Sequence, residues 1–299
     1  MNKKYFKNPD GERVFYLSWS LEKPKAAVVI SHGMVEHPAR YGDLAHYLNK
    51  NDIAVYGIYH IGHGKDAKVL NHMDDGDFDQ CIENIHMLVQ LVRKETGVPV
   101  ILLGHSMGSF MSQLYITRYH DLDALILSGS TTANLMAKAG AVVARLLYLF
   151  SRDRTKPSSF MNSLAFGAYN KAFKNPKTDF DWLSRDEKQV AKYVRDPYCG
   201  GICSVGFFKN LTGGMARMGK KKGLSQIDIE LPIYIQGGSM DPVSDMGKGL
   251  YKLKEQYEKL GMEWVELSVY DGARHEIFNE INKQEVYHDT LCFITSVLA

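Results

Sequence analysis

The sequence predicts an α/β protein: a mostly parallel central sheet flanked by helices, with a helical cap inserted after the sixth strand. Three observations predict it. Short β-branched or aromatic runs alternate with helical patterns over most of the 299 residues, and strands separated by helices pair in parallel through crossovers. One apolar run, 98–103, ends in a serine hemmed by glycines and continues as a helix. The alternation then stops between about 131 and 226, a span rich in Met, Phe, Tyr and Gly but without a clear buried strand. Such an insertion lies over the C-terminal edge of the sheet, where open α/β folds bind ligands. The expected division is a core of 1–130 and 227–299 and a cap of 131–226.

The elements follow in order. Residues 14–19 read as a strand after the Asp10-Gly11 turn signal, and 26–30 as a fully buried strand. Residues 41–49 look helical, 53–58 extended, and 78–95 a long amphipathic helix. A strand at 98–103 leads into a helix reaching about 119, and 122–127 is another strand. Beyond the insertion come a strand at 231–236, a helix at 247–260, a strand at 264–270 and a closing helix at 284–298.

Composition narrows the function. Hydrophobic residues make up 45% and charged residues 23%, ordinary for a globular protein. A formal charge of +2 is too small to call for nucleic acid as a partner, and Lys220, Lys221 and Lys222 read as a solvated loop. Cys81, Cys199, Cys203 and Cys292 follow no zinc-ribbon or disulfide spacing; Cys199 and Cys203, four apart, would share a helical face. The first fifteen residues lack the apolar core of a signal peptide, and no apolar run reaches membrane-span length. The expectation is a cytoplasmic protein, and its oligomeric state is left open.

The chemistry centres on Gly104-His105-Ser106-Met107-Gly108, a G-x-S-x-G between a strand and a helix. A sharp turn there leaves no room for side chains at Gly104 or Gly108 and holds Ser106 strained and accessible. A serine hydroxyl needs a base, an acid to orient that base, and donors for the oxyanion. His120 ends the serine's own helix and His288 lies inside the closing helix, so His275, in a loop after the strand 264–270, is the candidate base. Asp241, just past the strand 231–236, is the preferred acid. Asp245 and Asp271 are its rivals, readable as a helix cap and a turn residue. The oxyanion donors are expected to be the backbone amides of Met107 and of Met34, which follows Gly33 in the loop after the early buried strand.

At these residues the chain resembles the α/β-hydrolase superfamily, and within it the monoacylglycerol lipase and lysophospholipase group. The likeness rests on HGMVEHPARYGDLAHYL, on GHG at 62–64, on GHSMGS at 104–109, on DPVSDMGKG at 241–249 and on GARHEIFNE at 272–280. It implies an α/β-hydrolase fold with Ser106 as nucleophile, Asp241 and His275 completing the triad, and the amides of Met34 and Met107 as the oxyanion hole. One departure is local: where the group commonly has an aspartate and an arginine before GHG, this chain has Tyr59-His60-Ile61.

The expected activity is hydrolysis of carboxylic esters through an acyl-enzyme, with a monoacylglycerol, a lysophospholipid or a short ester as substrate. No cofactor is expected. His105 and the cap residues Leu135 and Leu147 are candidate substrate contacts, and Met136, Leu146 and Phe150 extend the apolar stripe. That stripe would either pack over the site or touch a membrane surface transiently. Two rivals stand beside this reading. A peptidase with the same triad would need an anionic subsite, such as Asp179, Asp181, Asp186 or Glu187; a non-catalytic ligand-binding member of the fold would need no triad. Two decoys fail on spacing. GMARMGKK at 214–221 lacks the final Ser or Thr and the preceding strand of a P-loop, and the pairs His60/His63 and His32/His37 show no third metal ligand in the sequence.

Overall fold

The computed structural model describes residues 1–133 and 135–299, and the side chains of all of these except 135–137. Two antiparallel strands, β1 (Asn2–Lys7) and β2 (Arg13–Trp19), begin the sheet. Gly11 turns between them at φ +80°, and the Asn8 side chain accepts the Glu12 N–H. β1 was not foreseen, because an edge strand exposed on both faces carries no apolar alternation to read.

The remaining strands are β3 (Ala26–Ser31), β4 (Ile53–Ile58), β5 (Val100–His105), β6 (Ala124–Ser128), β7 (Ile233–Gly238) and β8 (Val265–Tyr270). The sheet order is β1-β2-β4-β3-β5-β6-β7-β8, parallel from β4 onward. β5 starts two residues later than the sequence suggests, since Pro99 has no N–H for the ladder. Every residue of β3 to β7 is buried, because helices cover both faces.

Alternate residues sort to opposite sides, as strand geometry requires. Val29, Leu102, Leu127 and Ile235 face α2 (Asp77–Thr96), α3 (Met107–Tyr115) and α9 (Lys248–Glu258), packing with Ile82, Ile85, Leu114 and Leu253. Val28, Ile30, Leu103 and Ile126 face α1 (Gly42–Asn49) and α10 (Lys283–Val297), packing with Leu44, Leu48, Phe293 and Ile294. α2 starts with Asp77 and Asp79 in its first turn and ends at Gly97 in the left-handed region, whose N–H returns to Arg93 O.

Between β6 and β7 the chain forms α4 (Leu135–Phe150), α5 (Ser159–Phe166), α6 (Glu187–Arg195), α7 (Val205–Met215) and α8 (Lys221–Leu224). The helical insertion therefore follows the sixth strand. α7 is its root: Phe207, Phe208 and Leu211 are buried against the core, and the Phe78 ring lies where a Cβ on Gly214 would be, 2.4 Å away. Asp79 of α2 binds both Arg217 of the insertion and Arg118. Ala144 and Tyr148 of α4 turn inward, while Val142, Leu146, Leu149 and Phe150 remain exposed. Among the described residues no helix is long and apolar enough to cross a membrane.

Three local expectations change. Lys220 to Lys222 are exposed as expected, but Lys221 and Lys222 open the one-turn helix α8. Cys199 and Cys203 do not share a helical face: both precede α7, and all four thiols are free. Asp245 does not N-cap α9, which Gly247 precedes; it is exposed, in the left-handed region, and closes the 3-10 turn at Pro242–Ser244.

Candidate active site

β5 delivers Ser106 to the C-terminal edge of the sheet and α3 begins immediately after it. Ser106 has φ +52° and ψ −120°, a strained conformation costing roughly 1–3 kcal/mol. It is held because Ser106 N–H donates to Ser128 O at 3.0 Å while Ser106 O accepts from Ser109 and Phe110. The flanking glycines are sterically required. A Cβ on Gly108 would fall 2.0 Å from Ser31 O, and one on Gly104 would fall 2.4 Å from Ser112 Oγ.

The loop after β3 passes beside the serine. A Cβ on Gly33 would lie 2.9 Å from Glu36 Oε1 and 3.2 Å from Ser106 Cβ, so a side chain there would press on both. Gly33 N–H donates to Glu36 Oε1 at 2.6 Å, and Val35, at φ +49°, donates to His63 Nε2 at 3.1 Å. The amide between them, Met34 N–H, meets no protein acceptor among the described residues, and neither does Met107 N–H. Both lie next to Ser106, a geometry suited to an oxyanion. The side chains of Met34 and Met107 pack into the core.

Glu36 anchors this loop. Burial would raise its pKa, but Arg40, nearby histidines and the Tyr41 hydroxyl hold it down at about 2. Arg40 bridges Glu36 to Glu276, donating Nη2 to Glu276 Oε2 at 2.6 Å and Nη1 to Oε1. The residue after the candidate base is thereby tied to the loop of Met34.

His275 follows β8 and the Gly272 turn, and its Nδ1 lies 3.0 Å from Asp241 Oδ1, with both side chains buried. Asp241 Oδ1 also accepts Val243 N–H, and its Oδ2 is buried without a partner among the described residues. Burial alone would lower the His275 pKa; the Asp241 charge and hydrogen bond outweigh it and raise the group. With Nδ1–H given to Asp241, Nε2 is left as the free lone pair. Among the described residues neither His275 Nε2 nor Ser106 Oγ is hydrogen-bonded. The insertion clamps this loop, since Trp182 O and Leu183 O accept the N–H groups of His275 and Glu276. The Trp182 ring lies 5.2 Å from that of His275, and Phe166 and Tyr169 pack against Trp182.

The other candidates fall elsewhere. His105 is buried behind His275, ring centroids 4.7 Å apart, with Nδ1 on Ser128 Oγ at 3.2 Å; burial and the neighbouring His275 push its pKa down to about 3. His120 and His288 are exposed, as are Asp245 and Asp271. Leu147 is partly buried against the core, and the side chains of Leu135 and Met136 lie outside the described residues. At the departure noted before GHG, His60 Nε2 pairs with Ser31 Oγ at 2.9 Å and His60 N–H donates to His32 Nε2 at 3.2 Å, so a histidine network occupies that corner. Sequence reasoning missed Glu36, Arg40, Glu276 and Trp182. The only available signal was two carboxylates and an arginine inside otherwise motif-like loops.

A family model described as "Serine aminopeptidase, S33" matches residues 22–282. The chain belongs to that family. This S33 member is 26% identical to a monoacylglycerol lipase of Mycolicibacterium smegmatis, covering 98% of this chain and 96% of that one. It is 27% identical to a monoglyceride lipase of Mus musculus, over 98% and 90% of the two chains. Its structure resembles that of a highly thermostable carboxyl esterase from Bacillus coagulans in complex with glycerol. That match has a TM-score of 0.88 at 25% identity, over 100% of this chain and 99% of that one. The S33 member thus has the α/β-hydrolase fold.

Proposed function

We propose that the chain is a serine hydrolase of carboxylic esters, of the monoacylglycerol or lysophospholipid kind, working through an acyl-enzyme. The observation that carries this reading is the buried Asp241–His275 pair at 3.0 Å beside a strained serine that ends its strand. His275 Nε2 takes the proton as Ser106 Oγ attacks the ester carbonyl, and the amides of Met34 and Met107 hold the oxyanion. His275 then protonates the departing alcohol, and water repeats the sequence on the acyl-enzyme. The residues divide into a hydrolase core, 1–130 and 227–299, and a cap, 131–226, whose Phe166, Tyr169 and Trp182 form an apolar wall over the base.

Ester cleavage is favoured over an aminopeptidase activity because three of the four cap carboxylates that could hold an amino terminus already have partners. Asp181 accepts from Lys177 and Thr178, Asp186 caps α6, Glu187 pairs with Lys177, and Asp179 is exposed. The mouse and mycobacterial relatives, named for monoacylglycerol cleavage, support the lipid class. The exposed cap side chains Leu146, Leu149 and Phe150 supply a surface for transient contact with lipid.

The test is an ester panel varied in chain length and head group, run beside aminoacyl-arylamides and fluorophosphonate labelling. The wild type is expected to hydrolyse monoacylglycerol and to label at Ser106, and Ser106→Ala to lose both. No labelling and no ester turnover would refute the enzyme, and faster arylamide cleavage would favour the peptidase.

A further inference from the structure

Outside the catalytic cluster, one group of side chains has no role in the chemistry above. His37 leaves the loop of Met34, and Asp196 and Cys199 lie at the end of α6, about 160 positions away in sequence. Their ligand-type atoms all lie within 4.8 Å of one another. We propose that His37, Asp196 and Cys199 form a binding site for a zinc-class divalent cation that joins the Met34 loop to the cap.

The donor set is one imidazole nitrogen, one carboxylate oxygen and one thiolate sulfur. That combination suits a borderline cation in a tetrahedral site with an open fourth position. Zinc bonds of about 2.0–2.3 Å place tetrahedral ligands roughly 3.3–3.8 Å apart, so closing the site needs shifts of about an ångström. The two halves are already docked. Gly200 N–H donates to Val35 O at 3.0 Å, and His37 Nε2 lies 2.8 Å from Asp196 Oδ2. The 196–199 turn is self-braced: Tyr198 N–H donates to Asp196 Oδ1 at 2.9 Å and Cys199 N–H to Asp196 O at 3.1 Å. Asp196 Oδ1 is thus held by Tyr198, and Oδ2, hydrogen-bonded to His37 Nε2 when no cation is bound, is the oxygen that would turn to a cation.

Taking the cation would replace the His37 Nε2–Asp196 Oδ2 hydrogen bond and leave the imidazole proton on Nδ1, which is buried with no partner among the described residues. Arg40 and the carboxylates Asp196, Glu36 and Glu276 all act on the Cys199 sulfur. Burial keeps the thiol protonated when no cation is present. Binding forms a sulfur–metal bond, breaks the S–H bond and releases one proton to water. Two of the three ligands, His37 and Asp196, line a surface groove of about 1040 Å³ from which a cation would enter. The sequence alone hides this site, since its ligands come from two distant loops. The inference stands independently of the ester reading.

Cobalt(II) titration of the reduced full-length chain tests it. The expected result is a thiolate-to-cobalt charge-transfer band saturating at one equivalent, release of one proton, and displacement by zinc, with a rise in melting temperature. Cys199→Ala and Cys199→Ser, with far-UV circular dichroism matching the wild type, should lose the band. Cys81→Ala and Cys203→Ala should keep it. His37→Gln should weaken zinc about tenfold or more in competition with a chromogenic chelator. No band at saturating cobalt, a band that survives Cys199→Ala, or unchanged zinc affinity in His37→Gln would each overturn the proposal.

Discussion

Burial draws the His275 pKa down, and Asp241 draws it up further, by charge and by the 3.0 Å hydrogen bond. The group therefore titrates above the ordinary histidine value, near 6.5. Attack by Ser106 requires the neutral imidazole, so kcat/KM should fall as pH drops through that raised pKa. Asp241→Asn removes what raises the group and leaves burial. The acidic limb should then move to lower pH, while kcat drops about a thousandfold or more through the wrong tautomer. An unmoved limb in a pH–rate profile would show that another group is being titrated. His63 acts one step away by accepting Val35 N–H beside the free Met34 amide. His63→Phe leaves that N–H unpaired, at a cost of about 1–3 kcal/mol; kcat should fall at least tenfold with KM little changed, and His63→Gln should restore part of it. Equal kcat in the two variants would remove His63 from this role. The proposed triad residues Ser106, Asp241 and His275 were legible because each sits inside a motif just after a strand. The Arg40–Glu276 bridge was not, because a charge pair spanning most of the chain leaves no local pattern.

At the level of elements, the approach of α3 to β3 is set by a missing side chain. A Cβ on Gly108 would meet Ser31 O at 2.0 Å, and the neighbouring atoms are backbone. Gly108→Ala is expected to cost about 3 kcal/mol or more, since the clash falls on atoms that cannot rotate away. Thermal denaturation should show a fall of several degrees, and an unchanged melting temperature would mean the two elements slide apart freely. The buried strands and long helices were readable from apolar periodicity, whose ends shifted by only a few residues. β1 and the individual helices of the insertion were not. β1 has no buried face, and the insertion helices are short, so the stripe Phe207, Leu211, Gly214 of α7 spans only two turns and marks helix without fixing each element's ends.

Over the whole molecule, the insertion has two faces with different tasks. Its inner side holds the His275 loop through Trp182 O and Leu183 O, and Arg185 pairs with the buried Glu280 at 2.9 Å. Its outer side shows Val142, Leu146, Leu149 and Phe150 to solvent. Replacing Leu146 and Phe150 with Asp should weaken binding to phosphatidylcholine vesicles and slow hydrolysis of long-chain esters presented in them, leaving soluble short-chain esters unaffected. Equal vesicle binding by flotation would assign that face to another purpose. The order of the site along the chain has one more effect. The serine turn precedes the cap, while the proposed base and acid lie beyond it, and roughly 170 residues separate Ser106 from His275. At translation speeds of about 5–20 residues per second, the ribosome needs roughly ten to thirty seconds to cross that gap. On the proposed triad, the nascent chain carries its serine before the base that would activate it, and reactivity waits for the residues beyond the cap.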